Sequence, residues 1–218
     1  MAFERARNEE NKRIRLEQIK EAALKLFDEL PFFEITLSKI GKEINFTRAN
    51  LYKYVSSKED IYLFILLDEM EALVVEMEAA LLKDEPLAPK ELATQWARIL
   101  NTHPRYMKLM SLLGTMIEQN AKMDTLVDFK NQLMILFLRK NDILAKNLPD
   151  FTEAEIYRLS DYISSLVMGR FAQCKPSEVQ LEAMDKANFD FKVPDFESSF
   201  ADVVLLLING IKVSKLSL

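Results

Sequence analysis

Cysteine is almost missing from this chain. Cys174 stands alone, so no internal disulfide can form and nothing points to an oxidising compartment. Histidine is as scarce: His103 lacks the Cys or His partners that a zinc centre or a catalytic triad requires. Because it directly precedes Pro104, a helix-junction role is its plain reading. Only four Gly and seven Pro occur in 218 residues, which leaves little material for hairpin turns and suits long helices. Glycine loops that cradle phosphate and G-x-S-x-G elbows are missing too. The longest apolar runs, near 64–67 and 203–208, fall far short of the roughly 18 residues that span a bilayer. At the start, Phe3-Glu4-Arg5 runs into further charge, so no cleavable signal is expected. These absences argue against an enzyme, a metal site, a cofactor and a membrane protein. A cytoplasmic protein is the simplest expectation.

What is present is ordinary globular material, 49% apolar and 29% charged. The net charge of −5 is unevenly spread. Residues 1–58 hold 12 Lys/Arg against 9 Asp/Glu, a balance of +3, while the remainder holds 17 against 25, a balance of −8. A basic end on an acidic body is a weak pointer to phosphate.

Apolar residues recur at helical spacing along nearly the whole chain. Leu16, Ile19, Ala23, Leu26, Phe27 and Leu30 mark a first helix over 11–30, ended by Pro31. Thr36 offers an N-cap to a two-turn helix with the stripe Leu37, Ile40 and Ile44. Asn45 suits the left-handed residue that ends it, and Thr47 is a second N-cap. Ser57 is placed to cap a long helix over 58–83. Helical patterns follow over 89–102 and 104–120, the second opened by Pro104, and then over 126–148, stopped by Pro149. Thr152 caps another to about Cys174, and 196–213 is the last and most apolar. Between them, 175–195 with Pro176 and Pro194 reads as an irregular connector. No segment alternates with a period of two. An all-α chain of about nine helices is predicted.

The densest signal lies at residues 46–60, directly behind ITLSKIGKEI: helix, tight turn, helix. On a helical wheel Leu51 and Val55 point one way, toward a core. Ala49, Asn50, Lys53 and Tyr54 point the other way, with Arg48 at the exposed start and Tyr52 at the boundary. Asn can pair with adenine and Arg with guanine, while Lys, Tyr and a helix N-terminus reach phosphate. On spacing alone, the solvated face of an ordinary helix pair is an equal reading.

The segment from 19 to 66 resembles the DNA-binding domain of the TetR family of bacterial transcriptional regulators. Ala22, Ala23 and Phe27 carry the match in the first helix, Thr36, Leu37 and Ile40 in the second, and Thr47 in the turn. Leu51-Tyr52, Tyr54 and Ser57-Lys58-Glu59 leading into Ile61 complete it. The resemblance implies a three-helix helix-turn-helix domain over 11–71 and a larger helical ligand-binding and dimerisation domain over 72–218. It also implies that Arg48, Ala49, Asn50 and Tyr52 face bases, while Thr36, Thr47, Lys53, Tyr54 and Lys58 hold phosphates. The sequence departs from the family pattern at Pro31, at Asn45 for the turn Gly, at Gly41 for Ala, and at Val55 for Phe. Gly41 is expected to cost its helix up to about 1 kcal/mol.

The implied partners are a palindromic DNA duplex, a second copy of the chain and a small effector. For the homodimer, the apolar helices suggest Ile163, Leu166, Val167, Val203, Leu206 and Leu207. For an apolar or amphipathic ligand the candidates are Trp96, His103, Tyr106, Met107, Met110, Met116 and Phe137, although Met and aromatics at helical spacing are more often plain core. The expected function is a transcriptional regulator, a repressor released from its operator by such a ligand. The alternative is an all-helical adaptor in which the helix pair is architectural.

Overall fold

The computed structural model describes residues 2–214, with side chains from Glu9 onward. The last four residues of the expected second domain, 215–218, lie outside them. Ten α-helices account for nearly all regular structure among the described residues, one more than the sequence suggests. They are α1 (Ala2–Glu29), α2 (Leu37–Glu43), α3 (Arg48–Leu51), α4 (Lys58–Leu81), α5 (Pro89–Thr102), α6 (Pro104–Leu112), α7 (Met123–Asn147), α8 (Glu153–Cys174), α9 (Glu178–Lys186) and α10 (Phe196–Ser214).

Two expectations need correcting. The connector at 175–195 contains α9, which Ser177 and Gln180 start with a reciprocal capping box and Asn188 follows at φ 49°. With no buried residue, α9 rests on its caps rather than on an apolar stripe, so periodicity misses it. The helix expected over 104–120 gives way after Leu112 to a π-helical turn, Leu113–Ile117.

The chain forms two compact units. The first is Met1–Asp68 with Leu113–Leu133, and the second is Glu69–Leu112 with Met134–Leu218. Helix α4 thus contributes 58–68 to one and 69–81 to the other.

In the first unit, α1 lays Ile19, Ala23 and Phe27 against Ile40 of α2 and Ile61, Tyr62 and Ile65 of α4, all buried. Phe27, Phe32 and Tyr62 form an aromatic trio with centroids 5.0–6.4 Å apart, in the tilted and edge-on geometries that ring quadrupoles favour. The Tyr62 hydroxyl donates to the Ala23 carbonyl at 2.9 Å, which satisfies its one polar atom, and burial raises its pKa. Lys20 closes the unit's edge on Asp68 at 2.5 Å and Glu17 at 2.8 Å.

The second unit centres on α10, whose Phe196, Phe200, Val204, Ile208 and Ile211 form a buried stripe packed on α5 and α8. Arg139 of α7 forks onto two carboxylates of α4, Glu78 through Nε and Nη2 and Glu71 through Nη1, at 2.6–2.8 Å. Asn147 donates to the carbonyls of Leu81 and Ile143 and accepts from the Leu87 amide, fastening the end of α4. Lys140 is 5% exposed, and burial lowers its pKa to about 8.

Gly41 has a physical reason that helix propensity hides. A Cβ there would lie 2.7 Å from the Phe46 carbonyl oxygen and 3.1 Å from Leu51 Cδ1. Its own carbonyl accepts the Phe46 amide at 2.8 Å, so the turn is folded directly onto α2. Gly41→Ala should therefore destabilise the chain by about 1–3 kcal/mol, because the clash outweighs the gain in helix propensity. Urea denaturation measures it; an unchanged or raised midpoint would contradict the close approach.

Candidate nucleic-acid interface

Helix α3 has only four residues, and short helices do not persist alone. Thr47 starts it, its Oγ1 accepting the Asn50 amide at 3.2 Å, as Thr36 starts α2 by accepting the Lys39 amide at 3.2 Å. Asn45 takes φ 55° between the two helices, the left-handed conformation that Asn tolerates. Leu51 and Val55 are buried, so one side of α3 is fixed to the core. Hydrogen bonds from the Tyr54 and Val55 amides to the Leu51 carbonyl continue the coil beyond it.

The opposite side is open. Arg48, Ala49, Asn50, Tyr52 and Lys53 are exposed, with Thr36 and Thr47 exposed at the two helix starts. Arg48 donates to the Tyr52 hydroxyl through Nη2 at 2.8 Å and Nε at 3.1 Å, so each of these side chains restricts the other. Tyr54 is half-buried, 6.5 Å from the Phe46 ring. Arg15 of α1 stands over the other side of this region, 5.4 Å from the Phe46 ring. That cation, 32 positions before Thr47, carries no local motif that would flag it.

Lys58, which the resemblance assigns to phosphate, already has a partner in the chain itself. Its Nζ donates to the Phe32 carbonyl at 2.8 Å and lies 4.3 Å from the Phe32 ring centroid, and burial lowers its pKa. The bond ties the start of α4 to the turn after α1.

Asp60, which sequence reasoning passed over, organises the back of the reader. It is 1% exposed. Its Oδ2 accepts the amides of Ser56 at 2.9 Å and Ser57 at 3.0 Å, and its Oδ1 accepts the amide of Lys122 at 2.9 Å. Its own amide donates to Ser57 Oγ, the N-cap of α4, at 3.1 Å. One carboxylate thus fixes the chain leaving α3, the start of α4 and the segment entering α7. A Ser-x-x-Asp pattern was the available signal for the local half; the bond to Lys122 has none.

The other predicted residues fall as follows. Trp96, Tyr106, Met107 and Met110 are buried in the second unit. His103 bonds Glu76 at 2.9 Å, Phe137 packs edge-on against Tyr157 at 5.4 Å, and Met116 belongs to the first unit. Ile163 and Val167 are buried within their own subunit, Leu166, Val203 and Leu207 are half-buried, and Leu206 is 68% exposed. Leu206 shares the outer sides of α8 and α10 with exposed Tyr162, Met168 and Val213. Among the described residues no group of three or more His, Cys, Asp or Glu could hold a metal ion, and no helix is long and apolar enough to cross a membrane.

Asp60→Ala should cost roughly 2–4 kcal/mol, since three amides lose a charged acceptor. Chemical denaturation tests this, and a loss below about 1 kcal/mol would mean that solvent serves those amides equally well.

Comparison with known proteins agrees with this geometry. A profile described as bacterial regulatory proteins, tetR family, matches residues 19–64, and one described as tetracyclin repressor-like, C-terminal domain, matches residues 67–215. No curated protein matches in sequence. Among solved structures, a TetR/AcrR-family transcriptional regulator from Thermobifida fusca is similar at TM-score 0.56 and 17% identity, covering 90% of this chain and 97% of that one. The fatty acid degradation regulator FadR from Bacillus halodurans is similar at TM-score 0.56 and 13% identity, over 89% of this chain and 94% of its own. At these identities the likeness is one of fold.

Proposed function

The chain belongs to the TetR family of bacterial transcriptional regulators, and from that premise we propose that it is a repressor released from a palindromic operator by a small apolar or amphipathic ligand. Its reader is assigned to residues 11–71 and its regulatory and dimerisation part to 72–218. The observation that carries the reading is the side of α3 left open by the buried Leu51 and Val55, where Arg48, Asn50, Tyr52 and Lys53 are presented together.

Asn50 is the side chain suited to paired hydrogen bonds with a base, Arg48 is held by Tyr52, and Lys53 suits a phosphate. Asn50→Ala should relax preference at one position per half-site and cost about 1–3 kcal/mol of specific binding. Lys53→Ala should weaken binding to every sequence and lower the salt slope by about one unit. Lys53 is the cleaner probe than Lys58, whose loss also removes a bond to Phe32. If neither variant changes affinity or salt dependence on selected operator DNA, the helix pair is architectural, as in an adaptor.

Two-fold operators need a two-fold protein. The exposed side of α8 and α10, with Tyr162, Met168, Leu206 and Val213, supports a four-helix interface with a second copy. Ile163 and Val167 then act as the layer beneath it. Leu206→Glu should give monomers by sedimentation and remove operator binding while helical content is kept. A wild-type chain that sediments as a folded monomer at micromolar concentration would argue against the interface.

Effector binding is assigned to the buried cluster Trp96, Tyr106, Met107 and Met110 of α5 and α6, whose flexible Met side chains can make room. A ligand shifts DNA binding only through unequal affinity for two states, here two spacings of paired readers that must sit about 34 Å apart. A 100-fold preference supplies about 2.7 kcal/mol. Trp96 is the only Trp, so its emission reports occupancy of this cluster. An apolar effector should change Trp96 emission and DNA affinity at the same concentration; a screen in which no amphiphile moves either would favour a regulator without a ligand.

A further inference from the structure

Residues 9–58 carry ten Lys and Arg side chains, and half of them are neutralised within the chain. Lys12, Arg13, Lys20, Lys25 and Lys39 each pair with a carboxylate. Arg15, Lys42, Arg48, Lys53 and Lys58 pair with none among the described residues. Arg48 and Lys53 belong to the reader, and Lys58 ties α4 to Phe32. Lys42 stands in the last turn of α2, where a cation complements the helix dipole. Arg15 is left without an assignment.

Its place on α1 is informative. Arg15 lies one helical turn before Ile19, on the stripe that continues through the buried Ala23 and Phe27. The helix thus carries it out of the core side and over the turn between α2 and α3, with its guanidinium 5.4 Å from the Phe46 ring centroid. Its Nη1 donates to Gln18 Oε1 at 2.7 Å. Phe46 directly precedes Thr47, the N-cap of α3, and its amide is fixed on the Gly41 carbonyl at 2.8 Å. The platform beneath Arg15 is therefore the start of the reader itself.

Only one of the five N–H donors of Arg15 is used among the described residues, and the side chain is exposed. Glu21 and Glu43 line the same groove, yet Arg15 pairs with neither, and Glu43 is taken by Lys25 at 2.6 Å. A guanidinium steadied by a ring and an amide, with donors to spare and no carboxylate to displace, suits the paired N–H bonds that a phosphate accepts. Part of its ordering cost is met before the partner arrives.

We propose that Arg15 is a DNA-backbone contact: its guanidinium clamps a phosphate of the duplex beside the groove that α3 enters, which extends the footprint of the reader onto α1. The inference rests on the DNA-binding reading and adds a contact four positions before the matched segment 19–64.

Fluorescence anisotropy of the full chain with selected operator DNA and with a scrambled duplex, over a series of salt concentrations, reads affinity and salt slope. Arg15→Gln should weaken both duplexes alike and lower the slope by about 0.9 for each protomer bound. Arg15→Lys, which keeps the charge and loses the fork, should keep the slope and restore only part of the affinity. Lys12→Gln, which removes a cation already paired with Glu9, should change neither. An unchanged slope in Arg15→Gln overturns the proposal, as does a loss limited to the operator, which would mark a base contact. Phenylglyoxal labelling of the wild-type chain, read by mass spectrometry, decides the matter even if a variant fails to fold. Saturating duplex should protect Arg15 and leave Arg13, which pairs with Glu10, reactive; equal labelling of Arg15 with and without DNA overturns the proposal. If Asn50→Ala and Lys53→Ala alter binding while Arg15→Gln does not, the DNA-binding reading stands and this inference falls. A wild-type chain that binds neither duplex overturns both.

Discussion

A reader helix of four residues has too few internal hydrogen bonds to hold its own shape, so its geometry must be supplied by its surroundings. Every feature around α3 can be understood from that requirement. Thr47 and Asn45 set where it begins, Gly41 lets it lie against α2, and Leu51 and Val55 anchor one side. Asp60 then fastens the chain that leaves it. Because the supports occupy one side only, the polar side chains on the other are left in water at fixed positions. Preorganisation of this kind lowers the ordering cost when a rigid partner such as duplex DNA is met.

The second unit is held by a different balance of forces. Its centre is apolar, the α10 stripe against α5 and α8, and burial there is non-directional. Direction comes from polar clamps on α4: the Arg139 fork onto Glu71 and Glu78, seven residues apart, and Asn147 at the last turn. The fork raises the Arg139 pKa and lowers that of Glu78, chiefly through their mutual hydrogen bonds. A bidentate pair resists rotation of α4 about its axis more than it adds to overall stability, since these groups remain partly in contact with water. Non-directional packing inside and polar contacts along α4 thus divide the work of holding this unit.

Much of this architecture could be read from residue types because it rests on local rules. Thr36, Thr47, Ser57 and Thr152 all cap the helices that their positions suggest, and Asn45 takes the left-handed conformation. The polar and apolar sides of α3 follow from 100° per residue. What escaped depends on contacts between distant positions or on a missing stripe. Gly41 looked like a weakness because propensity knows nothing of the Phe46 carbonyl. The bond from Lys58 to Phe32 escaped because its acceptor lies 26 residues earlier. Ile163 and Val167 are covered within the single chain, and composition does not say which apolar side of a helix its own subunit covers. Helix α9 lacked the apolar periodicity by which helices are recognised, and its capping box was the one clue.

The third hydrogen bond to Asp60 makes the reader discontinuous along the chain. Two of its amide donors come from the same hairpin of sequence, but the third comes from Lys122, 62 residues later. During synthesis the carboxylate is therefore incompletely served until well over half the chain has been made. In recombination, a head cut near residue 71 and grafted onto a foreign body leaves Asp60 without the Lys122 amide. A chimaera that also inherits residues 113–133, or supplies another donor at that point, keeps all three amides on that carboxylate.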